Sequence, residues 1–173
     1  MKIRNGFVTN SSSSSFILTF YRGRSEENRK SDEDLIKNEI SRSIEPVVKQ
    51  EVLDFILENA LENIKTNEEI IDLVADDFFF DCIREVEEIT GFNCRWSCEK
   101  EKYVFENCTE HESDFLEKMV KQKAINKAKQ NICTGGYYTH AVVTVGGDTH
   151  GRFGDIMENI IMPEISDYRI SRH

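Results

Sequence analysis

Apolar residues recur along this chain with two different periods, and the changes of period mark out its elements. Phe16 to Tyr21, FILTFY, is a continuous aromatic and β-branched run with the composition of a buried strand. After the charged stretch Gly23 to Asp32 the period becomes helical. Leu35, Ile36, Ile40 and Ile44 recur at helical spacing as far as Pro46, a residue suited to the first turn of the next helix and not to its interior. That next helix carries Val48, Val52, Phe55, Ile56, Ala60, Leu61 and Ile64. Thr66-x-x-Glu69 spells a capping box and opens a third helix, which runs to Thr90 and stops at Gly91. Its stripe is Ile70, Ile71, Val74, Phe78, Cys82, Val86 and Ile89. Because Phe78-Phe79-Phe80 spans more than one face, this helix should be touched on two sides.

Phe92–Cys98 and Tyr103–Phe105 read as two short strands joined by the charged turn Glu99-Lys100-Glu101-Lys102. A second capping box, Thr109-x-x-Glu112, starts a helix bearing Phe115, Leu116, Met119, Val120, Ala124, Ala128 and Ile132, ended by Gly135-Gly136. His140 to Val145 is the second strong strand and should share a sheet with Phe16–Tyr21, with the helix Thr66–Thr90 packed on that sheet. Ile156, Met157, Ile160 and Ile161 then predict a last helix stopped by Pro163. The sum is an α+β fold in a single domain spanning residues 1–173: four to five helices packed on a small, mostly antiparallel sheet.

The net charge of −10 argues against direct binding of nucleic acid or of an anionic membrane, since both call for a basic surface. The basic residues are interleaved with acids except around Arg22, Arg24, Arg29 and Lys30. No apolar run approaches the roughly 18 residues that span a bilayer, and the N-terminus lacks the apolar core of a secretory signal. Five cysteines in a chain of this size suit a reduced, cytoplasmic setting better than a disulfide framework.

Lys2 to Phe16, KIRNGFVTNSSSSSF, resembles an N-terminal signature found on many otherwise dissimilar uncharacterised proteins of bacteria and their phages: a basic start, G-F-V-[ST]-N, a serine run, and Phe before a strand. The resemblance implies a phage or prophage origin, hence the cytoplasm of a host bacterium, and no particular activity. The apolar residues Phe7, Val8 and Phe16 flank the serines, so the run should be ordered and not a loose tail.

Val143 to Ile160, VTVGGDTHGRFGDIMENI, resembles the first metal-binding motif of the PPP-type protein phosphatases. The resemblance implies that Asp148 and His150 would be ligands of a two-metal centre, since a glycine turn at a strand end can aim two hard ligands at one ion. The family's later motifs, G-D-x-x-D-R-G and G-N-H-E, do not occur in this chain. Asp148 therefore also has a turn role open to it, bonding its own downstream N–H groups.

Two further constellations carry chemistry. Cys94, Cys98, Cys108 and His111 offer three thiols and an imidazole for a tetrahedral zinc site, although paired C-x-x-C knuckles are absent; buried or idle thiols are the alternative. Asp76, Asp77, Asp81, Glu85 and Glu88 put acids along the third helix, either as a solvated face or as a surface that imitates a phosphate backbone to a basic partner. Two functions follow as expectations. One is a small acidic phage protein that binds and inhibits a host protein, such as a defence protein in anti-CRISPR fashion. The other is a metal-dependent phosphoesterase using Asp148 and His150.

Overall fold

Strand β1, Ser13–Tyr21, opens the described part of the chain: the structure, a computed structural model, describes residues 13–23, 31–44, 48–146 and 154–172. Helices α1 (Asp32–Ile44) and α2 (Gln50–Glu62) precede the two-residue strand β2 (Ile64–Lys65). Helix α3 (Asn67–Thr90), a hairpin of β3 (Cys94–Ser97) and β4 (Lys102–Phe105), and helix α4 (Glu110–Asn131) come next. Strand β5 (Tyr138–Gly146), a π-helical turn (Met157–Ile161), α5 (Met162–Ile165) and β6 (Tyr168–Arg172) complete the described order. The class is α+β, as the periodicity predicts. Residues 1–65 with 136–173 form one unit and residues 66–135 another.

In the first unit the sheet order is β2-β5-β1-β6, antiparallel at every pairing. The two predicted strands are neighbours, with Phe16 opposite Val143 and Thr19 opposite His140. The period of two puts Phe16, Leu18 and Phe20 on one face. There they join Ile36, Ile40 and Ile44 of α1, Leu53, Ile56 and Ala60 of α2, and Met157 and Met162 in a single core cluster.

The serine run contributes strand, not linker, where it is described. Ser14 and Ser15 are buried in β1; the Ser14 hydroxyl donates to Glu158 Oε1 at 2.6 Å, and Ser15 Oγ lies 3.1 Å from Thr144 Oγ1. Arg169 also donates to Ser14 Oγ, at 3.1 Å, while ion-paired with Glu158. Short hydroxyls can be buried cheaply here because each has a partner. Ser11, Ser12, Phe7 and Val8 lie outside the described residues, as do Arg24, Arg29, Lys30 and Pro46.

Two expectations need correction in this unit. Ile64 does not extend the stripe of α2: the helix stops at Glu62, and Ile64 pairs opposite Ala141 as β2. The edge of β5 provides a ladder partner that a further helical turn would forgo, and the Val142 N–H donates to Asn63 O at 3.0 Å just before it. Pro163 does not stop the last helix either. It sits in the first turn of α5, immediately after the π turn in which the Met162 N–H donates to Met157 O. Widening the ladder by one residue there accommodates a proline that has no N–H and would crowd an ordinary turn. Beyond it, β6 adds a strand antiparallel to β1 that the polar sequence around Ile170 did not announce.

In the second unit α3 packs on α4, while the core cluster on the β1–β5 sheet is filled from α1 and α2 and not, as expected, by α3. Both capping boxes form as spelled. The Glu69 N–H donates to Thr66 Oγ1 and the Thr66 N–H to Glu69 Oε2, and Thr109 and Glu112 repeat the exchange. Gly91 ends α3 at φ 73°, a left-handed turn that costs glycine little. Helix α4 ends at Asn131, before Gly135-Gly136, because Ile132 turns extended and is buried there. Ile70, Val74, Cys82 and Val86 of α3 and Leu116, Val120, Ala124 and Ala128 of α4 are buried. The hairpin is tied to α4 by the Phe105 N–H donating to Ser113 Oγ at 2.9 Å, and by Lys102 Nζ, 2.7 Å from Asp114 and 3.4 Å from Glu117.

Candidate protein-binding face

Along α3 the acids outnumber the bases heavily, with Arg84 its sole basic residue. They do not all face outward alone. Glu85 pairs with Lys123 at 2.7 Å and with Lys127, both on α4; hydrogen bonds from the two lysines hold its carboxyl below the usual range. Lys127 also sits 5.8 Å from the Phe78 ring centroid. Glu85, expected among the partner-binding acids, is thus an internal tie between the two helices. Asp81 has Arg84 3.8 Å away, and Asp77 is exposed.

Asp72 and Asp76 are placed differently. They line a cleft of about 350 Å³ with Ala75, Phe79, Ala124 and Lys121, whose ammonium is already held by Glu117 at 2.6 Å. Among the described residues no ion pair reaches Asp72, Asp76 or Glu88.

Beside the cleft stands an aromatic group built from the Phe triplet and the hairpin. Phe79 of the cleft wall lies 5.5 Å, ring to ring, from Tyr103. Phe80 meets Tyr103 edge-on at 5.6 Å, and Trp96 meets it at 5.0 Å. The strands explain the last pair: Trp96 and Tyr103 are directly opposite in the β3–β4 register. Phe80 is 55% exposed and Trp96 51%. The Phe triplet does touch two neighbours, Lys127 of α4 through Phe78 and Tyr103 of β4 through Phe79 and Phe80. The order of residues does not single out Trp96 as exposed or Tyr103 as the ring it packs on. The available signal was the hairpin itself, whose short charged turn sets the pairing.

The cysteine constellation is dispersed. Cys94 lies opposite Phe105 on the hairpin, and its backbone N–H donates to Glu87 Oε1 at 2.6 Å. Burial, reinforced by Glu87 and Glu117, pushes its thiol up to about 11. The Cys108 thiol donates to Phe105 O at 3.3 Å, while Cys98 and His111 are exposed. Among the described residues no group of three or more His, Cys, Asp and Glu is arranged to hold a metal ion, so Cys94, Cys98, Cys108 and His111 are not brought together. Cys82 is a core residue, its thiol raised by burial.

Asp148 and His150 lie outside the described residues, as do Gly147 and Gly151; the description stops at Gly146, the end of β5, and resumes in helix at Gly154. Among the described residues no helix is long and apolar enough to cross a membrane. Comparison with protein-family models, with curated proteins and with solved structures finds no match to the chain.

Proposed function

We propose that this chain acts by binding: a small acidic protein of phage or prophage origin that occupies the basic face of a host protein and inhibits it, as an anti-CRISPR protein inhibits a host defence system. One observation carries this. Phe80 and Trp96 stand more than half exposed against Tyr103, beside Asp72 and Asp76, whose charges no ion pair of the described chain offsets. Aromatic residues are the usual anchors of protein interfaces, and unpaired acids steer a basic partner into register. Host proteins that grip nucleic acid present such basic faces, and a chain of net charge −10 is suited to compete for them. The N-terminal resemblance supports the phage setting.

The test is phage restriction. In a bacterium whose RNA-guided nuclease blocks a phage, expressing the chain should restore plaques, and Asp72→Lys with Asp76→Lys should return plaque numbers to the restricted level. A wild-type chain that leaves restriction unchanged across a panel of such nucleases contradicts the proposal.

A further inference from the structure

We infer that the group this face takes from its partner is an arginine side chain; the inference rests on the binding role just proposed. Phe80 and Trp96 each pack edge-on against Tyr103, at interplanar angles of 89° and 70°, so the rings do not stack on one another and much of each stays open. An open ring face is an electrostatically negative surface that attracts a cation. Asp76 precedes Phe80 by one helical turn and Asp72 by two, which sets their carboxylates on the same side of α3.

The cations of this unit nearest in sequence and space are already engaged. Arg95 is held by Glu106 at 2.6 Å, Lys102 by Asp114 and Lys121 by Glu117. Arg84, one turn beyond Phe80, has Asp81 at 3.8 Å. Among the described residues the face therefore offers aromatic surface and two carboxylates outside any ion pair, and Lys121, the lysine in the cleft lining, is taken up by Glu117. A guanidinium meets both demands together. It is flat and weakly hydrated, so it can lie on a ring while its N–H groups donate to a carboxylate; an ammonium is compact and strongly hydrated. The occupant is thus an arginine-bearing basic segment of a protein.

Trp96 is the only tryptophan in the chain and reports on its own face. The full chain is titrated with nonamers of arginine and of lysine at physiological ionic strength, following Trp96 fluorescence, with calorimetry as a second readout. The arginine peptide should bind about tenfold more tightly than the lysine peptide. Phe80→Ala should remove most of that difference while leaving lysine binding in place, and Asp72→Asn with Asp76→Asn should weaken both. Equal affinity for the two peptides, or an arginine preference untouched by Phe80→Ala, overturns the arginine inference and leaves an acidic binding face standing. Failure of both peptides to bind contradicts the binding role itself.

Discussion

In the unit built on β1 and β5, Phe16 and Phe20 are shut into the core, and even the strand's polar residues, Ser14 and Ser15, are buried with their hydroxyls bonded. In the unit built on α3 and α4, Phe80 and Trp96 stand more than half open while acids beside them go unpaired. The difference separates two kinds of departure from a simple apolar-inside rule. A buried serine with a partner costs the fold little and fixes the strand's position. An exposed aromatic returns little to the fold and is available to another molecule. The first unit has open residues of its own: Tyr21 and Tyr137 are about half exposed, and Ile156 and Ile160 line a largely aliphatic cleft with Ile44, Val48 and Ile165, where nothing selects an occupant.

The contrast breaks most readily at two phenylalanines. Phe16→Ala should destabilise by about 3–5 kcal/mol, the range for a buried aromatic, and Phe80→Ala by no more than about 0.5 kcal/mol. Chemical denaturation of both variants measures this, and similar losses would erase the distinction. Ser14→Ala sharpens the same point from the polar side. It removes the hydroxyl that joins Glu158 to Arg169 and should cost about 1–2 kcal/mol. An unchanged midpoint would make the serine mere filler. In the second unit Thr66→Ala should cost about 1 kcal/mol, seen as faster amide exchange in the first turn of α3.

Much of this was legible in the chain. FILTFY and the His140–Val145 run found each other because both are apolar enough to demand a sheet interior. Thr66, Thr109 and Gly91 mark their helix ends because capping is local chemistry. What escaped depends on partners distant in sequence. Ile64 became a strand because β5 had an edge to offer, and Pro163 stayed in a helix because a π turn precedes it. Glu85 looked like its neighbours until Lys123 and Lys127 came to face it. Trp96 gained meaning only once the register placed it across from Tyr103.

A smaller effect concerns pH. Burial lowers the proton affinity of His140, with Asp167 acting to raise it and Arg22 to lower it; its Nδ1 lies 3.2 Å from Thr19 Oγ1. The unfolded chain then binds this proton more readily than the folded one. The His140 contribution to stability should be complete above the ordinary histidine range and decline as pH falls through it toward the lower folded value. Melting temperatures taken from pH 7.5 down to 5 should show that decline, and His140→Gln should flatten it. A wild-type curve that rises on acidification in this window contradicts the assignment.

Whether Phe80 and Trp96 serve contact or folding is decided by one doubly substituted chain. Phe80→Ala with Trp96→Ala should melt within a few degrees of wild type yet lose the restoration of plaques in the restricted bacterium. A double variant that protects the phage as well as wild type, or that loses protection only by unfolding, would leave the two rings no role in binding.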